Sequence, residues 1–153
     1  MKSIIRQEVK EDYPVVFQLM EKAFKSEIYS DHTEQFLVER LRSSASFIPE
    51  LSLVAIYDQK IVGHILLTKI TIQNHEKSVN SLALAPVSVL PEYQRKGIGS
   101  NLIHTAHQIE TKNKKHQCLG DQLEGACKKN MLLLQSIKKR ASALTETDTL
   151  LPT

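Results

Sequence analysis

The chain of 153 residues is long enough to form one domain with a substantial hydrophobic core. Hydrophobic residues make up 41% and charged residues 24%, the composition of a soluble globular protein. The net charge of +3 is too small to indicate nucleic-acid binding, and no apolar run approaches the roughly 18 residues of a membrane span, so neither partner is predicted.

The N-terminal segment and the cysteines bear on the cell compartment. Charges interrupt the apolar residues at the N-terminus, so no secretory signal is expected there. Cys118 and Cys127 lie nine residues apart, without a CxxC motif or clustered histidines. They are typical of thiols in a reducing compartment rather than of a metal site or a disulfide. The sequence therefore predicts a cytoplasmic protein without a bound metal.

The first forty residues predict a strand followed by two helices. Residues 3–9 contain β-branched residues bounded by charge and predict the strand. Asp12 can cap the first helix, whose first turn contains Pro14. Its apolar residues recur at spacings of three and four and form one stripe. They are Val16, Leu19, Met20, Ala23 and Phe24.

A second helix is predicted from Asp31, with Glu34 three residues later in the place of a capping-box carboxylate. Phe36, Leu37 and Leu41 would face inward on this helix. Pro49 is expected to close the loop that follows.

Three strands are predicted next. Residues 51–57 and 61–72 are β-prone runs joined by a short turn at 58–60, which indicates an antiparallel hairpin. Residues 79–89 predict a further strand, in which Pro86 indicates an edge, a bulge or a local break in pairing.

The last predicted element of the core is a helix after Gly97, with five apolar residues on one face. They are Ile98, Leu102, Ile103, Ala106 and Ile109. The predicted order is therefore β-α-α-β-β-β-α, an α/β domain of the α+β kind with a mixed sheet.

The C-terminal segment has a different character. Residues 112–140 contain eight basic and two acidic residues, and no aromatic residue follows Tyr93. The apolar spacing over 123–141 predicts one long amphipathic helix, for which a solvated face is favoured over a nucleic-acid or membrane face. We therefore divide the chain into a core, 1–111, and a divergent, basic, mainly helical segment of the same domain, 112–153.

The segment 87–100, VSVLPEYQRKGIGS, predicts a strand, a turn, a short loop and the start of a helix. The first N–H groups of a helix lack intrahelical acceptors and carry partial positive charge, which suits a phosphate. Gly97 and Gly99 would let a pyrophosphate approach that backbone, and Arg95 and Lys96 add charge at the rim. A strand-to-helix turn that merely needs small residues is the alternative. Neither a Walker loop nor a GxGxxG fingerprint is present.

Residues 94–99, QRKGIG, fit the pattern Q/R-x-x-G-x-G/A of the GNAT acetyltransferase superfamily. The preceding residues 84–91, LAPVSVLP, resemble the fourth strand of that family, and residues 61–65, IVGHI, resemble its third. The order of elements agrees as well. The resemblance covers about residues 3–109 and is closest to bacterial members called predicted N-acetyltransferases. It implies the GNAT-like acyl-CoA N-acyltransferase fold.

The resemblance implies transfer of an acetyl group from acetyl-CoA to a primary amine of a small molecule or peptide, by direct attack. Backbone amides of the loop would hold the pyrophosphate, while the fourth strand would bind the pantetheine arm and polarise the thioester carbonyl. A homodimer is left open. The cofactor-binding residues implied are Val87, Ser88, Val89, Gln94, Arg95, Lys96, Gly97, Ile98, Gly99 and Ser100.

Three residues are candidates for the catalytic proton transfers, each with a structural alternative. Glu34 lies near a region that lines the acceptor site in the family, but it can instead be a capping-box residue. Ser88 can relay a proton or be structural, and Tyr93 lies beside the loop and can reach the thiolate. His64 can be a base, although a strand histidine is more often packed.

The C-terminal segment departs from the family pattern. The family has a fifth strand that opens a slot for pantetheine, and a later tyrosine that protonates the CoA thiolate. Residues 117–120 are the only candidate remnant of that strand, and no tyrosine follows Tyr93. Two alternatives follow: a CoA-binding but catalytically impaired module, or a truncated or frameshifted member of the family.

Overall fold

The computed structural model describes residues 2–73, 75–76 and 78–113. Within these residues the elements follow one another as β1 (Ile4–Gln7), α1 (Tyr13–Phe24), α2 (Glu34–Arg42), β2 (Phe47–Tyr57), β3 (Lys60–Gln73), β4 (Ser78–Val89) and α3 (Ile98–Asn113). Short 3-10 helices, Lys10–Asp12 and Pro91–Tyr93, precede α1 and α3. The predicted order is confirmed. The predictions for residues 114–153 lie outside the described residues.

The described strands form one antiparallel sheet in the order β1-β2-β3-β4. The turn between β2 and β3 consists of Asp58 and Gln59, both with positive φ, 49° and 59°. Two central residues in this conformation make a type I′ turn, whose twist matches that of the strands it joins. The predicted hairpin is therefore confirmed.

A bulge interrupts β4 at Pro86. Ile65 of β3 pairs with Val87, while Leu67 pairs with Leu84, so two residues of β4 lie opposite one residue of β3. Proline has no N–H to donate to a ladder and is tolerated at such a bulge or on an outer strand. Pro86 lies at both, since β4 is the last strand of the described sheet.

Helices pack on both faces of the sheet. The predicted stripe of α1 is confirmed for Val16, Leu19, Met20 and Ala23, which are buried, whereas Phe24 at its end is half-buried. On the other face, α3 packs against Gly63 of β3. Successive residues of a strand point to opposite faces, so His64 lies on the face that α1 and α2 cover.

The close contact of α3 with the sheet depends on Gly63. A Cβ at this position would lie 3.1 Å from Leu102 Cδ1, 3.2 Å from Ile98 Cγ2 and 3.3 Å from the Ser88 carbonyl oxygen. We expect Gly63→Ala to lower the free energy of unfolding by about 1–3 kcal/mol, because overpacking forces these atoms apart. Urea unfolding measures the loss, and Gly99→Ala is the matched control, since a Cβ there meets nothing closer than 3.8 Å. Equal stability of the two variants would contradict the prediction.

The predicted inward face of α2 was wrong in part: Leu41 packs against the core as predicted, but Phe36 does not lie inward. Phe36 is 46% exposed and packs edge-on against Phe17, with ring centroids 5.4 Å apart. Glu34, Gln35 and Val38 are buried instead. Hydrogen bonds with the preceding loop allow the two polar side chains to be buried. Ser30 Oγ donates to Glu34 Oε1 at 2.7 Å, and Gln35 Nε2 donates to the His32 carbonyl at 3.0 Å. The capping box was wrong as well, because Thr33 is the N-cap and Glu34 follows it directly.

Two further local predictions were wrong. The Asp12 side chain does not cap α1; its carboxylate accepts hydrogen bonds from Arg6 at 2.6 and 2.9 Å and from the Val9 N–H at 2.9 Å. Pro49 does not end a loop but lies inside β2, where the register with β3 shifts between Phe47 and Ser52.

Candidate functional site

Two side-chain hydrogen bonds hold the loop that connects β4 to α3. Gln94 Nε2 donates a hydrogen bond to the Val89 carbonyl at 3.0 Å, which joins the loop to the end of the strand. Lys96 Nζ donates a hydrogen bond to the Glu92 carbonyl at 2.9 Å, which joins the loop to the short 3-10 helix that precedes it. Two members of the predicted set therefore hold the loop in shape through their side chains.

The backbone conformation of this loop is of a kind that binds anions. Arg95 and Gly97 have φ of 60° and 80°, whereas the intervening Lys96 does not have positive φ, an alternation of the kind found in anion-binding nests. The Asn101 N–H donates to the Gly97 carbonyl at 3.0 Å. This first helical bond leaves the N–H groups of residues 98–100 without intrahelical acceptors. The arrangement suits a phosphate.

The fold favours glycine at position 97 but does not require it at position 99. At Gly97 the φ of 80° favours glycine, although a Cβ would meet no atom within 4 Å. At Gly99 the backbone is helical, and a Cβ would lie 3.8 Å from Val89 Cγ2 and 3.9 Å from Val87 Cγ1, which is ordinary contact. The fold itself therefore has room for a side chain at position 99, in the gap between the first turn of α3 and the end of β4.

The end of β4 presents backbone groups at its outer edge. The Leu90 N–H donates to the Val62 carbonyl at 2.9 Å, and the register then pairs His64 with Ser88. Hydrogen-bonded and non-hydrogen-bonded pairs alternate along an antiparallel ladder. The N–H groups of Val87 and Val89 therefore point away from β3. Gln94 donates to the carbonyl of Val89, and no described strand pairs with the two N–H groups, which suit an extended ligand.

A buried polar cluster lies on the opposite face of the sheet from α3. It consists of Glu8, Arg42, Ser52, His64 and Ser88, of which Glu8, Ser52, His64 and Ser88 are 6%, 1%, 0% and 2% exposed. The side chain of Arg42 is also buried. These residues come from β2, β3, β4, the end of α2 and the segment after β1.

Glu8 is the centre of this cluster. Its Oε1 pairs with Arg42 Nη2 and lies 3.4 Å from His64 Nε2, and its Oε2 accepts a hydrogen bond from Ser52 Oγ at 2.6 Å. Ser52 Oγ lies 3.4 Å from the same imidazole nitrogen. Burial raises the pKa of the Glu8 carboxyl, but these hydrogen bonds and charges outweigh burial and hold the pKa below its ordinary value. Glu8 is therefore ionised at neutral pH.

The carboxyl group of Asp12 also has a pKa below its ordinary value. Hydrogen bonds from Arg6 lower the pKa of Asp12 and outweigh burial, which acts in the opposite direction. The Val9 N–H supports the same charged form. The start of α1 is thereby fixed to β1 by an ionised group.

Both lowered pKa values make the fold sensitive to acid. The folded pKa of each group lies below its ordinary value of 4.5 (Glu8) or 3.8 (Asp12), so its stabilisation is complete above that value and is lost as pH falls through the lower folded pKa. We expect the free energy of unfolding, measured in urea, to stay level from about pH 7 to 5 and to fall below about pH 4.5. Glu8→Gln should flatten this dependence. A stability that does not change down to about pH 3 would contradict the assignment.

The three predicted catalytic residues lie in different surroundings. Glu34, 3% exposed, is bound by Ser30 at the start of α2. Tyr93 packs its ring at 5.8 Å from Tyr57, with the ammonium groups of Lys60 and Lys96 at 5.8 and 5.3 Å from the ring centre. Ser88 belongs to the buried cluster.

Sequence patterns missed the part that Glu8, Arg42 and Ser52 play in this cluster. The bonds that join Glu8 to Arg42 and to Ser52 span 34 and 44 residues of sequence. The only local signal was the alternation of polar residues at Arg6 and Glu8, which places both on one face of a strand.

The described residues contain neither a candidate metal site nor a candidate membrane-spanning helix. No group of three or more histidine, cysteine, aspartate or glutamate side chains among them could hold a metal ion. No helix in that part of the chain is both long enough and apolar enough to cross a membrane.

Comparisons with known proteins agree on one family. The family model described as an acetyltransferase (GNAT) domain matches residues 4–119. The uncharacterized N-acetyltransferase YjhQ of Escherichia coli (strain K12) is 40% identical over 96 residues, which cover 58% of this chain and 53% of that protein. The chain thus spans about half the length of this curated relative.

Solved structures give the same fold. A GNAT family acetyltransferase from Brucella melitensis, in complex with acetyl-CoA, is 32% identical with a TM-score of 0.64, and the match covers 80% of each chain. The PaiA N-acetyltransferase from Thermoplasma acidophilum, in complex with coenzyme A, is 25% identical with a TM-score of 0.55 over 77% of each chain.

Proposed function

Because the chain belongs to the GNAT acetyltransferase family, we propose that it transfers the acetyl group of acetyl-CoA to a primary amine of a small molecule or peptide. The observation that carries this proposal is the segment from Val87 to Ser100, which combines outward strand N–H groups, a nest-like loop and a helix start. The outward strand N–H groups suit a thioester arm, the nest-like loop suits a pyrophosphate, and the helix start suits the negative charge of that pyrophosphate.

The pyrophosphate of CoA would bind the backbone of the loop and of the first turn of α3. The room left at Gly99 supports this assignment, because the fold does not need a glycine there and a close ligand does. Arg95, exposed beside the loop, would add charge to the site. The proposed cofactor-binding residues are Val87, Ser88, Val89, Gln94, Arg95, Lys96, Gly97, Ile98, Gly99 and Ser100.

The thioester would lie along the outer edge of β4. A donor at Val87 or Val89 would polarise its carbonyl and hold the oxyanion that forms when the amine attacks. The side chains of these two residues lie toward α3, as the contacts at Gly99 show, whereas Ser88 points to the opposite face. We therefore infer that the pyrophosphate binds on the α3 side and that the amine approaches from the side of Ser88.

The reaction we propose is direct attack. The nitrogen lone pair of the amine bonds to the carbonyl carbon, the carbon–sulfur bond then breaks, and the thiolate of CoA leaves. The protein supplies orientation and a route for the proton released by the nitrogen. Ser88, Glu34 and Tyr93 are the proposed residues for the proton transfers, and Ser88 is placed best, on the strand that would hold the thioester.

Several further predictions concern the whole protein. The class of acceptor amine, a cytoplasmic location and a homodimer are predictions, as is the division of the chain at residues 111 and 112. We expect the acceptor to be found by direct assay.

Thiol release tests the proposed reaction. Purified protein is mixed with acetyl-CoA and, one at a time, with polyamines, aminoglycosides, amino acids and peptides carrying a free N-terminus. We expect CoA thiol to appear only with some amines, and mass spectrometry should find a product heavier by one acetyl group. Gly99→Val is the matched negative control. Binding of acetyl-CoA without turnover on any amine would instead favour a CoA-binding module that lacks competent chemistry.

A further inference from the structure

His64 and Ser88 form a buried cross-strand pair of an unusual kind. They are direct partners in the ladder of β3 and β4, so their side chains lie on the same face, with Cβ atoms about 4.5–5.5 Å apart. His64 is 0% and Ser88 2% exposed. Within the described part of the chain, both the Ser88 Oγ and the His64 Nδ1 are buried without a hydrogen-bond partner.

Leaving such groups unpaired has a cost. A buried donor or acceptor without a partner costs about 1–3 kcal/mol, and most buried polar side-chain atoms in proteins are satisfied. An apolar pair at these two positions would avoid the cost. The two atoms do not hydrogen-bond to each other in this structure, so the hydroxyl and the imidazole nitrogen each keep a free position. Catalytic hydrogen bonds are often long in the absence of substrate and tighten when it binds, and a contact formed in that way would let the two groups exchange a proton.

The other side of the imidazole is fixed. The carboxylate of Glu8, held by Arg42 and Ser52, lies 3.4 Å from His64 Nε2. A carboxylate at this nitrogen favours the tautomer with its proton on Nε2, and Nδ1 is then an acceptor. The same carboxylate stabilises the imidazolium that forms when Nδ1 takes up a proton.

We propose that His64 accepts, through the hydroxyl of Ser88, the proton that the attacking amine releases, and that Glu8 positions and stabilises the imidazolium. This inference rests on the proposed acetyl transfer. As the nitrogen–carbon bond forms, the amine proton passes to Ser88 Oγ and the Ser88 proton passes to His64 Nδ1. When the carbon–sulfur bond breaks, the proton returns by the same route to the CoA thiolate, so the enzyme ends as it began.

The charged groups around His64 come from several elements of the fold. Glu8 faces Nε2 directly, and Arg42 at the end of α2 binds the same carboxylate. Asp12, at the start of α1, would interact at longer range with a charge on His64, and Arg6 of β1 forms an ion pair with Asp12. Ser88 lies on β4, the last strand of the described sheet, next to the outward N–H groups of Val87 and Val89 proposed for the thioester.

Kinetics of three serine variants test the relay. We expect Ser88→Ala to lower kcat/KM on the order of 10²–10³-fold, and Ser88→Thr, which keeps the hydroxyl, to retain most of it. Ser81→Ala is the matched control, because Ser81 is another buried serine of β4. An acceptor of low basicity, such as an arylamine or a hydrazide, is used so that its own ionisation does not shape the pH profile. The fall of kcat/KM toward low pH should be present in the wild type and absent in Ser88→Ala.

A readout that needs no turnover follows the imidazole itself. In protein labelled with ¹⁵N-histidine, with signals assigned by His64→Gln, we expect the neutral ring to carry its proton on Nε2. Ser88→Ala should shift the Nδ1 signal when acetyl-CoA is bound. A ring protonated at Nδ1, or an imidazolium throughout pH 6–9, would overturn the proposal because neither can accept a proton.

Failure of the relay and failure of the proposed function are distinguishable. Calorimetry with acetyl-CoA should give the same affinity for the wild type and for Ser88→Ala, because the proposed ligands on β4 are the backbone N–H groups of Val87 and Val89 and not the Ser88 hydroxyl. If both bind and turn over acetyl-CoA at rates within about threefold, with the same pH profile, His64 and Ser88 are structural and the acetyl transfer stands. If neither variant nor wild type binds acetyl-CoA, the proposed function fails first.

Discussion

Gly99→Val should abolish binding of CoA and of acetyl-CoA while leaving the domain folded. A side chain at this position projects into the gap between α3 and the valines of β4, with its Cβ 3.8 Å from Val89 and 3.9 Å from Val87. The protein can accept this atom, but a pyrophosphate on the same backbone cannot. We expect binding to weaken by at least about 100-fold, some 2.7 kcal/mol, in calorimetric titrations.

Graded variants separate steric exclusion from loss of charge. Gly99→Ala should weaken binding less than valine, and thermal melting should show both as folded, since glycine is the weakest helix former after proline. Lys96→Ala should only weaken binding, because its ammonium is engaged by the Glu92 carbonyl. Gly97 is a poorer test, because its φ of 80° would strain any substituted side chain. Equal losses for Gly99→Val and Lys96→Ala would indicate a mere charge patch and not a backbone site.

Arg42→Met should destabilise the fold by about 3–5 kcal/mol, the typical cost of removing one partner of a buried ion pair. The side chains of Arg42 and Glu8 are 6% and 1% exposed, so the carboxylate would lose its guanidinium partner without gaining water. The guanidinium also lies 3.9 Å over the ring of Tyr13 and thereby connects α2 to α1. Urea unfolding followed by circular dichroism measures the loss.

Two controls show whether burial of the charge is the cause. The double variant Glu8→Met with Arg42→Met should lose much less than the sum of its single variants, because neither charge remains unpaired. Arg6→Met breaks the pair with Asp12, in which the Arg6 side chain is 40% exposed, and should cost only about 1 kcal/mol or less. A loss for Arg42→Met no greater than for Arg6→Met would contradict this explanation.

Much of the fold could be predicted from local patterns. The stripe of α1, the face of α3 that begins at Ile98, and the hairpin all follow from spacing that each segment contains by itself. The proline in β4 also indicated its bulge, because a missing N–H has the same consequence in any sheet. The loop motif was found for a similar reason: its glycines and basic residues are adjacent in sequence.

The errors and omissions share one physical cause. The orientation of α2 depends on hydrogen bonds with the preceding loop, which let Glu34 be buried while Phe36 stays 46% exposed. Hydrophobic periodicity does not register such bonds. The cluster around Glu8 needs the registry of β1, β2 and β3, and a contact with α2 34 residues away. A sequence read in windows cannot place these residues together.

Calorimetric titration of the purified protein with CoA, and separately with acetyl-CoA, tests the assignment of the segment from Val87 to Ser100 most directly. We predict saturable binding of one CoA per chain with a dissociation constant in the micromolar range, the same for both ligands within a few-fold, and no binding by Gly99→Val. Circular dichroism on the same samples establishes that each protein is folded. A folded wild-type protein that binds neither ligand, or a Gly99→Val variant that binds as the wild type does, would contradict the assignment.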